Sequence, residues 1–226
     1  IFVSHEWLGY SHADPNNDQF RTLKRVLHRL KTGEIASVET AGLHQLALAH
    51  NTRVTRAEWM AALPYSYVWF DFMSIPQTCD FEEEDQSWNP SYYTHVSSKP
   101  RNSSEAEVLA NLQLAVDSIP AYVERSSLLL VLVPVAMHVD RREICNFSTW
   151  RQRGWCRLEL TTALLTCGTL HVMVCDGEES MPYFTLPIEA GYLRCGEGSF
   201  SCCQKNHFMN GSEIPCDKAK IRGVLE

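Results

Sequence analysis

Short polar stretches that follow apolar runs hold the side chains with the chemistry for a reaction. Ser4 and His5 come directly after the opening apolar residues, and a serine beside a histidine can suggest a nucleophile with its base. Adjacent strand residues point to opposite faces of a sheet, however, so these two side chains are poorly placed to bond each other. We therefore interpret both as lining a loop, and a strand-end histidine satisfied by its neighbours is the alternative.

Thiols and one imidazole form a second candidate group near the C-terminus. Thiolate and imidazole ligands in a loop-rich segment can build a tetrahedral zinc site. The spacing contains no C-x-x-C pair, so reduced structural thiols are the default interpretation and no metal is predicted. The zinc alternative would use Cys202, Cys203, His207 and Cys216.

The elements that must position these residues alternate between strands and helices. Apolar runs predict strands over 1–3, 67–72, 128–133 and 170–174, and a weaker pattern marks 183–188. Helical spacing and capping residues predict helices that begin near Asn16 or Asn17, over 41–49, over 56–63, from Ser104 to Pro120, and over 155–165.

This alternation favours an α/β fold with a parallel sheet and helices on both faces. The continuous apolar run 128–133 is typical of a central strand that is covered on both faces. Ligands of such sheets bind beyond the carboxyl ends of the strands. We therefore expect Ser4, His5, Asp71 and the residues after Pro134 to gather at that edge.

Three motifs in chain order carry a resemblance to a known family. They are Phe2-Val3-Ser4-His5-Glu6-Trp7, then Trp69-Phe70-Asp71 followed by Pro76-Gln77, and then Trp155-Cys156-Arg157-Leu158-Glu159-Leu160. The chain thereby resembles the Toll/interleukin-1 receptor (TIR) domain family, and is closest to the TIR-like proteins of microbial eukaryotes. The resemblance covers about the first 175 residues and implies a flavodoxin-like sheet.

Many TIR domains cleave the nicotinamide–ribose bond of NAD, and the resemblance places their essential helix glutamate at Glu159. A carboxylate beside the oxocarbenium-like centre would stabilise it or capture it covalently. NAD is then a substrate, and no cofactor is expected. The resemblance implies substrate contacts for Ser4, His5, Glu6, Trp7, Asp71 and Trp155, although Trp155 and Cys156 also suit a core position.

Other interpretations of Glu159 and of the chain stay open. Glu159 could be a partly exposed helix acid that pairs with Arg153 or Arg157. The chain could be a non-enzymatic interaction module that associates with itself or with other TIR-like domains. A third hypothesis is a nucleoside deoxyribosyltransferase-like enzyme, which also uses a glutamate nucleophile.

The predicted organisation is a TIR-like domain over 1–176 and a C-terminal extension over 177–226 that completes or flanks it. Within the domain, 33–66 is a helical insertion and 73–102 is a long loop insertion. That loop carries the acidic run 82–85, which would repel a pyrophosphate unless it points away.

Composition limits the classes of function. The net charge of −7 argues against nucleic-acid binding, which depends on Lys and Arg. The nine cysteines are scattered, which favours a reducing compartment. The longest apolar run is too short to span a bilayer, and the chain opens without a signal peptide. We expect a soluble cytoplasmic domain of a longer signalling or stress-response protein.

Overall fold

A five-stranded sheet forms the centre of the molecule. The computed structural model describes residues 1–48, 51–75, 105–166, 170–209 and 212–225. The sheet contains β1 (Phe2–Ser4), β4 (Trp69–Phe70), β5 (Leu128–Leu132), β8 (His171–Cys175) and β9 (Tyr183–Thr185). Their spatial order is β4-β1-β5-β8-β9, which places β1, β5 and β8 in the interior of the sheet.

The sheet is parallel except at one edge. Strands β4, β1, β5 and β8 pair in parallel, whereas β9 runs antiparallel to β8. The expectation of a parallel sheet is therefore wrong for β9. Only residues 176–182 connect β8 to β9, and a parallel crossover needs about a dozen residues or more.

Alternating side chains bury both faces of the sheet. One face packs Phe2, Leu129 and Val172 into a core with residues of the helices α6 (Ile119–Glu124) and α8 (Gly154–Leu165). The other face packs Val3, Leu130 and Met173 against residues of α1 (Asp18–Thr32) and α3 (Arg56–Ala62). This two-sided core explains the continuous apolar runs and confirms that helices flank both faces of the sheet.

Further helices and three small antiparallel sheets complete the described part of the fold. The other helices are α2 (Gly42–Leu48), α4 (Asp71–Ser74), α5 (Glu105–Asp117), α7 (Phe147–Trp150), α9 (Ser201–Gln204) and α10 (Asp217–Leu225). Three antiparallel strand pairs join β2 (Ser37–Glu39) to β3 (Arg53–Thr55), β6 (Ala136–His138) to β7 (Glu143–Cys145), and β10 (Phe208–Met209) to β11 (Ser212–Glu213). The sequence did not predict these pairs, since each strand has three residues or fewer.

The strand that leads to Asp71 is shorter than predicted. Strand β4 has two residues, and Asp71 begins the four-residue helix α4. The Asp71 carboxylate accepts the backbone N–H of Phe72 at 2.5 Å, and the Ser74 hydroxyl accepts the N–H of Phe70 at 3.1 Å. These local bonds stabilise a turn in place of further strand.

The C-terminal segment packs against the start of α8. The N–H of Gly154 donates to the carbonyl of Ser199 at 3.0 Å. Phe200, Cys202 and Ile221 form a small core with Leu158 of α8. The segment thus supplies strand β9 to the sheet and then covers the outer side of α8.

Two expectations fall partly or wholly outside the described residues. The predicted loop 73–102 is described only as far as 75, and the predicted helix start at Ser104 lies outside the described part. Within the described residues, no helix combines the length and the apolarity needed to cross a membrane.

Candidate functional site

Strand alternation sends Ser4 toward α8, on the same face as Phe2. The indole N–H of Trp150 donates to the Ser4 hydroxyl at 3.0 Å, and that hydroxyl donates to Oε2 of Glu159. Ser4 is fully buried, and Trp150 is also buried. The carboxyl end of β1 and helix α8 are therefore joined through one hydroxyl group.

Glu159 is a buried acid. Its exposed fraction is 9%, and it lies in α8 between the core residues Leu158 and Leu160. Burial raises the pKa of Glu159 to about 8; the hydrogen bond from Ser4 opposes this rise and the charge of Asp71 adds to it. The carboxyl group is thus largely protonated at neutral pH in this structure.

The interpretation of Glu159 as a surface ion-pair partner is wrong. Both arginines that the sequence offered are used elsewhere. Arg153 donates to the Ser201 hydroxyl at 2.7 Å, and Arg157 donates to the Arg151 carbonyl at 2.9 Å. An acid on a helix in a sheet protein becomes buried when the helix packs on the strand ends, as α8 does at Ser4.

His5 points to the opposite face, toward α1. Its Nε2 lies 2.7 Å from Oδ1 of Asp71, and its Nδ1 lies 2.8 Å from Oε1 of Gln19. The Gln19 amide nitrogen donates to the Glu6 carbonyl at 2.8 Å. Because a carbonyl can only accept, this bond fixes the orientation of the Gln19 side-chain amide. The amide oxygen of Gln19 must therefore face His5.

This orientation makes His5 an imidazolium. Nδ1 must donate to the Gln19 oxygen, and Nε2 must donate to the Asp71 carboxylate. Burial alone would lower the pKa of His5, but the charge and hydrogen bond of Asp71 and the bond to Gln19 outweigh it, so the pKa is raised. For Asp71, burial opposes ionisation, but His5, Trp7 and the Phe72 amide outweigh it and lower its pKa.

Trp7 and Asp71 connect the loop after β1 to helix α4. The Trp7 indole N–H donates to Oδ2 of Asp71 at 2.8 Å, and its ring meets Phe72 edge-on with centroids 6.0 Å apart. The Asp71 side chain keeps 26% exposure. Asp71 and Trp7, which is also only partly buried, are therefore the members of this network that solvent or a ligand can reach directly.

Glu6 is a second buried acid beside this network. One of its oxygens accepts from the Thr149 hydroxyl. The other, Oε2, is buried without a hydrogen-bond partner among the described residues. Burial raises the pKa of Glu6, although Thr149, Arg153, Cys145 and Arg141 oppose the rise.

Trp155 and Cys156 lie in the core around α8. Cys156 is buried, and burial raises its pKa well above the ordinary thiol range, which leaves it a protonated thiol that donates to the His5 carbonyl at 3.5 Å. Trp155 is partly buried between the two apolar clusters on either side of α8.

The sequence did not predict the roles of three residues in this network. They are Trp150, which holds Ser4, Gln19, which orients His5, and Thr149, which holds Glu6. Gln19 alone carried a signal, because it shares the buried face of α1 with Leu23 and Val26. A polar residue on an apolar helix stripe needs an internal partner.

A groove of about 610 Å³ lies at the other end of the sheet, beside Ile1 and the face of α1 that carries Arg21 and Arg25. Its cations are largely paired: Arg25 binds Glu34 and Glu179, and Arg21 binds Asp18. The groove contains none of the site residues that the sequence analysis named. Buried acids with displaced pKa values make the carboxyl edge the stronger candidate site.

The C-terminal segment brings Cys202, Cys203, His207 and Cys216 together. The metal-binding atoms of all four lie within 4.8 Å of one another. The cysteines that the structure describes are all reduced.

Comparison of the chain with protein-family models, with curated proteins and with solved structures finds no match.

Proposed function

We propose that this chain is a TIR-like domain that cleaves the nicotinamide–ribose bond of NAD, with Glu159 as the catalytic carboxylate. The observation that supports this most is a buried glutamate with a raised pKa, held by Ser4 at the carboxyl edge of a mostly parallel sheet. Ligands of α/β sheets bind at this edge, and a displaced pKa is common in catalytic groups.

The strand order also supports a TIR-like fold. When the five strands are counted along the chain, their spatial order is 2-1-3-4-5, which is the flavodoxin-like order. The antiparallel β9 is a variation at the edge of the sheet. The three motifs that resemble the TIR family supply Ser4, Asp71 and Glu159, which lie in one electrostatic network.

The reaction breaks the bond between C1′ of the ribose and the nicotinamide nitrogen. The bonding electron pair stays on that nitrogen, so nicotinamide leaves neutral, and C1′ becomes oxocarbenium-like. The oxygen of a water molecule adds to C1′, and the water proton passes to solvent, which yields ADP-ribose. The ionised Glu159 carboxylate stabilises the cationic centre or captures it before water does.

Ionisation of Glu159 is the step that the site must permit. The hydroxyl of Ser4 favours the ionised form, because it donates to the carboxylate oxygen. The cationic nicotinamide ring favours the same form by direct attraction. Substrate binding therefore brings a positive charge next to Glu159, and this charge stabilises the ionised carboxylate.

The residues around Glu159 take positioning roles in this proposal. His5, Glu6 and Trp7 form the loop that must shift to admit NAD, and Asp71 offers its exposed carboxylate edge to a ribose hydroxyl. Trp155 supports α8. We further propose that a neighbouring copy of the domain completes the pocket, which is the reason to vary protein concentration in the test.

The test is nicotinamide release from NAD by the wild type and by Glu159→Gln, over a wide range of protein concentration. We expect release by the wild type that rises more than linearly with concentration, and a loss of at least a hundredfold in Glu159→Gln. The matched control Glu124→Gln alters an exposed acid of α6 and keeps full activity. Equal activity in Glu159→Gln, or none in concentrated wild type, contradicts the proposal.

A second incubation, with a nucleoside and a free base, distinguishes NAD cleavage from a nucleoside deoxyribosyltransferase-like activity.

A second candidate function, self-association as an interaction module, is favoured by the β6–β7 hairpin. Met137 and Ile144 are cross-strand partners that keep 45% and 56% exposure. Val135, just before the hairpin, is 71% exposed. Apolar side chains clustered on one face of a hairpin are typical of a protein-binding surface.

The hairpin is tested separately from the carboxylate. We expect Met137→Ser with Ile144→Ser to abolish concentration-dependent association in light scattering. Met60→Ser removes an exposed methionine from α3 and serves as the control. Unchanged association in the double variant contradicts a role for this surface.

A further inference from the structure

The four-residue cluster in the C-terminal segment has the dimensions of a tetrahedral zinc site. The Sγ atoms of Cys202 and Cys203 lie 3.9 Å apart, as do those of Cys203 and Cys216. A zinc–sulfur bond of about 2.3 Å and tetrahedral angles place sulfur ligands about 3.8 Å apart. Two of the three sulfur pairs therefore already have the spacing that zinc requires, and the third pair lies within 4.8 Å.

His207 supplies the fourth ligand. Its Nδ1 is buried and has no hydrogen-bond partner among the described residues. Such a nitrogen costs free energy unless something binds it. A metal ion bound through Nδ1 would satisfy this nitrogen, and one ring nitrogen of His207 lies within 4.8 Å of the three thiols.

The local backbone brings the four ligands together from separate elements. Cys202 and Cys203 lie on α9, and the chain then turns through Asn206 and His207, both with positive φ. Cys216 directly precedes α10. The Cys202 sulfur also accepts the N–H of Asp217 at 3.3 Å, the kind of outer contact that orients a thiolate ligand.

The donor set selects the metal. Three thiolates and one imidazole in tetrahedral arrangement suit Zn²⁺, and all four positions are occupied by protein, as in structural sites. Hard cations such as Mg²⁺ and Ca²⁺ prefer oxygen ligands, and this cluster offers none.

We propose that Cys202, Cys203, His207 and Cys216 bind one structural Zn²⁺ that fixes the C-terminal segment on α8. The part of the segment around α9 has little regular structure of its own, since α9 has four residues, and it packs on α8 through a small core that holds Phe200, Cys202 and Ile221. Cys202 belongs both to the zinc site and to that core. The site is independent of the proposed NAD chemistry.

Zinc content is measured on the full chain, purified under reducing conditions and dialysed against Zn²⁺ without chelator. We expect about one zinc per chain in the wild type and in Cys195→Ser, a thiol of the same segment outside the cluster. Cys203→Ser and Cys216→Ser are expected to lose at least tenfold in zinc affinity. Co²⁺ in place of zinc is expected to give the intense visible bands of tetrahedral cobalt with thiolate-to-metal charge transfer.

A metal-removal experiment covers variants that fail to fold. A strong chelator is expected to lower the melting temperature of the wild type, and added Zn²⁺, but not Mg²⁺, to restore it. The proposal is overturned if the wild type binds no zinc, or if Cys203→Ser and Cys216→Ser bind it as tightly as wild type. A Cys203–Cys216 disulfide in the reduced preparation would overturn it equally.

Discussion

Ser4 donates its single hydroxyl proton to Glu159 because the other neighbour of that hydroxyl, the Trp150 indole, can only donate. Oε2 of Glu159 is therefore an acceptor. When Glu159 is protonated, its proton must lie on Oε1. One hydroxyl thus orients the carboxyl group and joins β1 to α8.

Ser4→Ala tests this relationship. The substitution leaves the Trp150 N–H and Oε2 of Glu159 buried without a partner, so we expect unfolding free energy to fall by about 1–3 kcal/mol. The pKa of Glu159 should rise further, because the Ser4 bond lowers it. Urea unfolding measures the first effect, with the exposed Ser148→Ala as control. Equal loss in both variants would contradict the buried role of Ser4.

Glu159→Gln is expected to stabilise the protein at neutral pH. The folded pKa of about 8 lies above the ordinary value of 4.5, so the unfolded chain loses its proton first. Stability therefore falls as pH rises from about 4.5 to 8, by about 1.4 kcal/mol per pH unit. Glutamine stays neutral and removes this fall. The difference between the unfolding midpoints at pH 5 and pH 8 should shrink in Glu159→Gln and stay unchanged in the control Glu124→Gln.

Asp71→Asn should convert His5 from imidazolium to neutral imidazole. Without the carboxylate, burial dominates and the pKa of His5 drops below its ordinary value of 6.5. NMR titration of the His5 ring measures this change, and the exposed Asp117→Asn is the control. A His5 pKa that stays raised in Asp71→Asn would exclude Asp71 as its main partner.

The same pair has a defined window of stability. The raised pKa of His5 contributes stability below pH 6.5 that is lost as pH rises through its folded pKa. The lowered pKa of Asp71 contributes stability above pH 3.8 that is lost as pH falls through its folded pKa. Between pH 3.8 and pH 6.5 both groups contribute their full stabilisation. Asp71→Asn should remove most of this stabilisation in that pH range.

Gly154→Ala should loosen the C-terminal segment from α8. A Cβ at Gly154 would lie 1.9 Å from Cζ of Phe200, and the buried Phe200 ring has little room to move. We expect a loss of about 1–3 kcal/mol, measured by thermal unfolding. Gly42→Ala is the control, since its Cβ would meet nothing within 4 Å. Phe200→Leu in the Gly154→Ala background should recover part of the loss.

Long apolar runs made the centre of the fold predictable. The apolar runs 128–133 and 170–174 predict strands that are buried on both faces, and β5 (Leu128–Leu132) and β8 (His171–Cys175) lie at these positions. The β6–β7 hairpin could not be predicted in this way, since its short strands expose Met137 and Ile144. Local pattern carries no signal where neither face is fully buried.

The contacts around Glu159 could not be predicted from local sequence patterns for a different reason. Glu159 and Ser4 are 155 residues apart in sequence, and only the packing of α8 on β1 brings them together. An acid that follows two nearby arginines, as Glu159 follows Arg153 and Arg157, looks exposed until that packing is known. Strand alternation did separate Ser4 from His5 correctly, because it depends on backbone geometry alone.

The pH profile of NAD cleavage connects the proposed reaction to the structure. Because the ionised carboxylate is the active form, kcat/KM should rise about tenfold per pH unit below pH 8 and level off above it, following the Glu159 pKa of about 8. Ser4→Ala should move this limb to higher pH, since the Ser4 bond favours the ionised form. Steady-state nicotinamide release between pH 5.5 and about 9.5 gives both curves. A profile that is flat across this range would exclude Glu159 as the titrating group, and an unmoved limb in Ser4→Ala would separate Ser4 from the ionisation.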